Sequence, residues 1–485
     1  MTGVPTLVIG GTHSGVGKTS VALGLMRAFS RRGLRVQAFK VGPDFIDPGH
    51  HTLATGRRSH NLDGWMIPPA VNQKIFRDAT QDADLAIVEG VMGLFDGYGM
   101  GEQGSTAELA KLLGASVVLV MDAQGMGRSA AALLQGFQRF DPAVNFLGAI
   151  LNRVGSDRHR AWIQRACEAD NLQQAQNLEN DTMAILGGLP RQDALHIPRR
   201  HLGLVLGGED ETDPEDGDRL DRLGQWVEHY LDLDQLYHSA KTYPAKTSLD
   251  RTSLDRTADG ASWVGSFPRG STVKIGVARD RAFCFHYEYN LALLRNLGAE
   301  LVEFSPLTAS RLPDGLCGLY FAGGYPELHA EMLSHNRPLR QQIADLSRAG
   351  LPIYGECGGL MYLSQGVTDA AGNRSPMVGA LPFEIVMGDR PTLGYKEVQW
   401  TGPDGWFPPD VTARGHCFHY SQLSIASPTP ALGYGYRLKS SQCKVQQEGY
   451  LHRNTLASYV HLHWGSCPDW ARSWLALCRR SSVVS

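Results

Sequence analysis

What this sequence lacks narrows its function first. Its formal net charge is -3 over 485 residues, so it carries no cationic surplus for a polyanion, and nucleic acid is not expected as a partner. No apolar run approaches the roughly 18 residues needed to span a bilayer. The N-terminus runs into a strand with no basic and apolar leader. No membrane partner and a cytoplasmic location are therefore expected. Eight cysteines are present, yet none stands in a Cys-x-x-Cys pair, which argues for reduced thiols over a zinc site or disulfide scaffold. What is there fits a globular enzyme: 42% apolar and 20% charged residues, in a chain long enough for two or three domains. The sequence does not specify an oligomeric state.

Residues 5–10 read as a short buried strand and Lys18 to Phe29 as the helix that follows it. Apolar, β-branched runs at Val36–Phe39, Leu85–Val88, Val117–Met121 and Phe146–Leu151 alternate with helix-like stretches at Ala107–Leu113 and Ser129–Phe137. That alternation predicts a parallel sheet covered on both faces, with active groups at the carboxyl ends of its strands. Near residue 207 the texture changes. An acidic loop over 208–216 precedes a helix around Asp218–Leu233, and the pentad Thr-Ser-Leu-Asp-Arg then occurs twice, at Thr247–Arg251 and Thr252–Arg256. Such a repeat cannot build a core and reads as a linker. A second α/β series starts at Val273–Ala278 and continues through a helix at Ala292–Leu297 and strands at Ala299–Phe304, Gly318–Phe321 and Pro352–Tyr354. The expected organisation is a P-loop α/β domain over 1–237, a linker over 238–271 and a second α/β domain over 272–485.

The first chemical signal is Gly10-Gly11-Thr12-His13-Ser14-Gly15-Val16-Gly17-Lys18-Thr19-Ser20. A phosphate loop needs bare backbone to aim N–H groups at anionic oxygens, a lysine to neutralise them and a hydroxyl to hold Mg²⁺. Gly15 and Gly17 supply the first, Lys18 the second and Thr19 the third. Gly11 stands one place further from Gly17 than the usual spacing, where Thr12 sits instead. Glu89, closing the run Leu85–Val88, could ligate Mg²⁺ directly or through water. The turn from Phe39 to Pro48 offers Lys40 for charge on a transferred phosphoryl group, and Asp44 and Asp47 for metal or substrate. The plainer alternative is that these two acids, beside prolines, are only turn formers.

The second signal is Tyr354-Gly355-Glu356-Cys357-Gly358-Gly359, a cysteine on a sharp strand-to-helix turn. The following helix N-terminus is expected to lower the thiol pKa. A cysteine nucleophile wants a histidine to take and return a proton. In the strand-like run Tyr459–Trp464, His461 and His463 share a face, so spacing does not choose between them. Gly323 and Gly324, ending another strand, could offer N–H groups to an oxyanion. His416 and His419 flank Cys417 with metal-ligand residue types but no second cluster at zinc spacing.

In GGTHSGVGKTS, FKVGPDFIDP, VEGVMGLFDG, GAILNRVGSDRH (Gly148–His159), FAGGYPE and YGECGGLMYL, in this order, the chain resembles the cobyrinic acid a,c-diamide synthase family over nearly its whole length. Its front part is similar to the dethiobiotin-synthetase branch of P-loop proteins. Its rear part is similar to flavodoxin-like class I glutamine amidotransferases of the cobyric-acid group. The resemblance implies L-glutamine hydrolysis at Cys357 with His461 as base, and transfer of ammonia to the first domain. There ATP as co-substrate and Mg²⁺ as cofactor would serve to phosphorylate the a- and c-carboxylates of cobyrinate, a corrin. Lys18, Thr19, Ser20 and Glu89 map to nucleotide and Mg²⁺; Lys40, Asp44 and Asp47 map to phosphoryl transfer and substrate. Two departures stand out. The acid that many triad enzymes place two residues after the histidine is His463 here, and Cys417 stands where the family stretch usually has glutamate. The same chemistry on hydrogenobyrinate or a nickel-sirohydrochlorin is the nearest alternative. A cobyric acid synthase, or a nucleotide-dependent switch with an inactive amidotransferase module, is a more distant one.

Overall fold

The computed structural model describes residues 3–174, 183–192, 195, 214–242, 273–409, 411–424, 432–440 and 445–481. The chain divides into two compact units, Met1–Gly260 and Ala261–Ser485. Among the described residues no helix is long and apolar enough to cross a membrane, and the seven described cysteines are free thiols.

The first unit is built on seven strands: β1 (Thr6–Gly11), β2 (Val36–Val41), β3 (His60–Leu62), β4 (Leu85–Glu89), β5 (Ser116–Asp122), β6 (Phe146–Val154) and β7 (Ile185–Pro190). They lie in the order β3-β2-β4-β1-β5-β6-β7 and every pairing is parallel. Central strands buried on both faces must be apolar throughout rather than alternating. Leu7, Val8 and Ile9 in β1 and Leu85 to Val88 in β4 are accordingly fully buried; each large aliphatic side chain contributes roughly 1.5–3 kcal/mol. The helix Lys18–Arg31 turns Val21, Leu25, Met26 and Phe29 inward, at the spacing of one helical face.

The helix anticipated at Asp218–Leu233 is two helices, Pro214–Tyr230 and Leu233–Thr242. Leu223, Trp226, Val227 and Leu236 from them join the core of this unit. The second helix runs through His238 to Thr242, into the stretch read as a linker. The tandem pentads, and the acidic loop before Pro214, lie outside the described residues.

The second unit begins with β8 (Val273–Ala278), β9 (Ala299–Phe304), β10 (Gly318–Phe321) and β11 (Ile353–Glu356). There follow β12 (Gly366–Thr368), β13 (Arg374–Pro376), β14 (Glu384–Trp400), β15 (Thr412–Ser424), β16 (Gly433–Ser440), β17 (Val445–His452), β18 (Thr455–Ser458) and β19 (His461–Leu462). Its parallel heart runs β9-β8-β10-β11-β18, which in chain order is the 2-1-3-4-5 flavodoxin-like arrangement. An antiparallel flank, β14 with β15 and β16 with β17, extends it. Both units are α/β, as the sequence predicts. The long β14–β15 hairpin, with a bulge between Met387 and Thr392, had no clear period-2 signal because much of it is exposed on both faces.

Candidate functional site

In the first unit β1 ends at Gly11 and the chain turns over 12–17 into the helix Lys18–Arg31. Gly15 and Gly17 take φ of +83° and +94°, left-handed backbone that a β-carbon would strain. At the end of β6, Asn152 Nδ2 donates to the Val16 carbonyl at 2.7 Å and Arg153 Nη2 to the Gly15 carbonyl at 2.9 Å, so the loop is staked from the sheet. Lys18 Nζ donates to the carbonyl of Met92 and, at 3.4 Å, to that of His13. Burial, then neighbouring Lys40, pulls its pKa below the ordinary lysine value.

Glu89 closes β4 with its side chain fully buried. Its Oε1 accepts from Thr19 Oγ1 at 2.6 Å and from Lys40 Nζ at 3.0 Å, while Oε2 meets His51 Nε2 at 2.7 Å. Lys40 Nζ also pairs with Asp47 at 2.6 Å and donates to the Gly90 carbonyl at 3.2 Å. The second nitrogen of His51 lies 3.1 Å from Ser59 Oγ. An isolated buried charge would neutralise itself; here the partners hold the ions. Burial alone would lower the Lys40 pKa, but Asp47, Glu89 and Asp44 outweigh it and raise it. Burial alone would raise Glu89, but Lys40, His51 and Thr19 hold it far below the usual carboxylate range. Desolvation, with Asp44 and Glu89, pushes Asp47 well up.

Lys18, Thr19, Lys40, Asp47 and Glu89, expected at one site, thus gather at the carboxyl ends of adjacent strands. Asp44 lies close enough to bias Lys40, yet its Oδ1 accepts from the backbone of Ile46 at 2.8 Å and of Asp47 at 3.3 Å, so it serves as turn former as well. Ser20 sits half-buried in the first helical turn. His51 and Ser59 escaped the sequence reading. His51 follows Asp47 by one helical turn in the helix Ile46–Thr55, and that i, i+4 spacing was the available signal.

In the second unit Cys357 follows β11 directly, at φ 47° and ψ -99°, and opens the short helix Gly358–Leu363. Its N–H donates to the Ser458 carbonyl at 2.7 Å, and β11 pairs in parallel with β18, Glu356 beside Ser458. Cysteine and histidine therefore emerge from the carboxyl ends of neighbouring strands. A β-carbon on Gly323 would stand 2.2 Å from His461 Cε1, and one on Gly358 would stand 3.0 Å from the Gly324 nitrogen. These approaches set Gly323 against His461 and Gly358, the residue after Cys357, against Gly324, and explain why glycine is required at 323; the Cys357 thiol itself donates to the Phe418 carbonyl at 3.7 Å.

The structure separates the two histidines. β19 ends at Leu462, and His463 caps the 3₁₀ turn Trp464–Ser466 by accepting the Gly465 N–H at 3.1 Å. Its ring stacks on Tyr289, centroids 5.3 Å apart. His461 instead stacks on His416, at 5.0 Å and 17°, and His416 Nδ1 lies 3.0 Å from the Tyr287 hydroxyl. His419 turns elsewhere, stacking on Tyr459 at 3.7 Å. Among the described residues no group of three or more His, Cys, Asp or Glu side chains is arranged to hold a metal ion by itself.

The thiol does not behave as expected from the helix that follows it. Burial first, then the charge of Glu327, pushes the Cys357 pKa up, and the Gly358 N–H only partly offsets this. Six helical residues add little dipole against a sulfur so shielded from water. Burial, then His416 and His419, drives His461 well below the usual imidazole value. Both shifts favour the uncharged forms, thiol and imidazole. Two buried carboxylates stand behind it. Glu448 accepts from Ser458 Oγ at 2.5 Å and from the Tyr459 N–H at 2.7 Å, and Glu356 accepts from the Leu462 N–H at 3.1 Å. Burial raises both to about 7.

Residues 7–205 match the CobQ/CobB/MinD/ParA nucleotide binding domain and residues 274–468 the CobB/CobQ-like glutamine amidotransferase domain. Fold and sites thus define a class, a nucleotide-binding domain joined to a glutamine amidotransferase domain in one chain. Relatives named cobyrinate a,c-diamide synthase align over the whole length. The protein of Syntrophotalea carbinolica is 43% identical over 481 residues, 99% of each chain. That of Leptospira interrogans serogroup Icterohaemorrhagiae serovar copenhageni is 40% identical, covering 98% of this chain and 99% of its own. That of Priestia megaterium is 39% identical, covering 98% and 97%. The chain belongs to the cobyrinate a,c-diamide synthase family.

Proposed function

We propose that this chain is a glutamine-hydrolysing ligase that converts the a- and c-side-chain carboxylates of cobyrinate to amides, in cobalamin biosynthesis, using ATP and L-glutamine or free ammonia. The observation that carries the reading is the pairing, in a chain that aligns with its relatives over 98–99% of its length, of a phosphate loop backed by Glu89 and Lys40 with a strained cysteine elbow on the strand next to the one that leads to His461. A free carboxylate resists ammonia because oxide leaves poorly. Phosphorylation supplies a leaving group, and the two sites divide that work.

In the glutaminase, Cys357 Sγ attacks the side-chain carbonyl carbon of glutamine as His461 takes the thiol proton. Starting from neutral partners, no charge separation has to be held in the resting pocket. The Gly323 and Gly324 N–H groups receive the developing oxyanion. His461 returns the proton to the departing nitrogen, which leaves as ammonia, and then draws a proton from the water that cleaves the thioester to glutamate.

In the synthetase, a substrate carboxylate oxygen attacks the γ-phosphorus of ATP and ADP departs. Lys18 and the N–H groups of 15–20 grip the phosphates, and Lys40, fixed between Asp47 and Glu89, faces charge on the group in flight. Asp44 and Asp47 shape the acceptor side. Ammonia then adds to the acyl phosphate and phosphate leaves. Mg²⁺ suits the donors present: Thr19 Oγ1 and Glu89 Oε1 are hard oxygens 2.6 Å apart. Both Glu89 oxygens already accept hydrogen bonds, which favours contact through water for that residue. When bound, the ion would neutralise phosphate charge. Free thiols throughout the described residues support the cytoplasm as the compartment.

The test follows an oxygen isotope. Cobyrinate labelled with oxygen-18 in its carboxylates should yield labelled phosphate and a product with two amides by mass spectrometry. Unlabelled phosphate would end the acyl-phosphate reading. Faster turnover of hydrogenobyrinate or a nickel-sirohydrochlorin would reassign the macrocycle and leave the chemistry standing.

A further inference from the structure

Glu356 sits immediately before the nucleophile, and the steps above leave it unused. It is 1% exposed, among Tyr320, Tyr354 and Trp464, whose rings pack 5.6 and 5.7 Å apart. Oε1 accepts the Leu462 N–H at 3.1 Å and the Tyr354 hydroxyl at 2.9 Å; Oε2 accepts the Tyr320 hydroxyl at 3.1 Å. Leu462 directly follows His461. One side chain therefore ties the nucleophile, through the main chain on one side, to the base, through a backbone N–H on the other. Apolar residues of similar volume would fill an aromatic pocket at lower cost than a carboxylate. The site keeps three donors aimed at an acceptor instead.

We propose that Glu356 is a positioning residue of the glutaminase: as a hydrogen-bond acceptor it sets where His461 stands relative to Cys357. That task falls to it because position 463, two residues after the base, carries a histidine turned against Tyr289 rather than an acid gripping the imidazole. The inference rests on the reading of Cys357 and His461 as nucleophile and base.

Steady-state glutaminase and ammonia-dependent amidation by the full chain test it. Glu356→Leu keeps volume and removes the acceptor. It is expected to lower kcat for glutamine hydrolysis by about 30-fold or more, since a displacement near 1 Å suffices for that, with KM little changed and ammonia-dependent amidation intact. Glu356→Gln still offers an oxygen to the Leu462 N–H and should restore most of kcat. If leucine prevents folding, Glu356→Ser is expected to show the same kcat loss. Wild-type kcat in the leucine or serine variant overturns the proposal, as does a glutamine variant as impaired as leucine, which would make charge the requirement. Loss of ammonia-dependent amidation alongside would mark a merely structural role and also overturn it. Retained glutaminase in Cys357→Ala would instead remove the underlying assignment.

Discussion

The two sites treat burial in opposite ways. Around Glu89 the first unit buries ions that hold one another: Lys40 Nζ lies 3.0 Å from the Glu89 carboxylate, and each shifts the other's pKa toward its charged form. Around Cys357 the second unit buries a thiol and an imidazole, and burial, reinforced by Glu327 at the thiol and by His416 and His419 at the imidazole, shifts each toward its neutral form. The difference matches the work. Phosphoryl transfer needs fixed charge before the substrate arrives, whereas thiol attack needs a proton to move only when the substrate is in place. Desolvation alone does not fix a group's state; the neighbours it is buried with do.

The sharpest way to break this comparison is to remove one site at a time. Cys357→Ala should cut glutamine-dependent synthesis on the order of 10⁴-fold or more while ammonia-dependent synthesis persists. Lys18→Ala should abolish synthesis with either nitrogen donor. Synthesis retained in the lysine variant would remove the phosphate-loop assignment. His461→Asn should lower glutaminase kcat on the order of 10²–10⁴-fold, and His463→Asn should leave it little changed. The reverse ranking would move the base to position 463.

Stability separates the two environments next. Glu89→Gln removes the carboxylate that buried Lys40 and His51 share, leaving Lys40 only Asp47 as an ionic partner, and urea unfolding should register a loss of about 3–5 kcal/mol. A loss near zero would mean the network is not closed in solution. The smallest effect concerns pH. Glu448 rises from 4.5 to about 7 in the folded protein because it is buried. The native state then binds its proton more tightly than the unfolded chain. Stability is full below the unfolded value and declines as pH climbs toward 7, by about 3 kcal/mol at most. Glu448→Gln should reduce that slope between about pH 4.5 and pH 7, leaving the share of Glu356, which is raised to the same value; an unchanged slope would assign it to other groups.

Where a local backbone demand dictates residue type, the sequence was readable. Gly15 and Gly17 declare a turn that needs left-handed glycines, and Gly-Glu-Cys-Gly-Gly declares an elbow. The parallel strands were readable too, because burial on both faces forces apolar runs. What could not be read came from pairing across distance. Glu448 meets Ser458, and His416 meets His461, only because β17 pairs with β18 and β15 with β19. The period-2 rule failed to part His461 from His463 because β19 stops after two residues. The thiol expectation failed because a helix N-terminus is visible in sequence and depth of burial is not.

The elbow carries a further consequence. A residue with a β-carbon at φ 47°, ψ -99° lies outside the comfortable conformations of L-amino acids, a penalty of order 1–3 kcal/mol. Nature thus retains at position 357 a side chain its own backbone disfavours. Replacing alanine there by glycine, in the already inactive enzyme, should raise the melting temperature even as it enlarges the unfolded ensemble. A protein that grows sturdier on losing its reactive centre shows how much cohesion was surrendered to hold the sulfur in place.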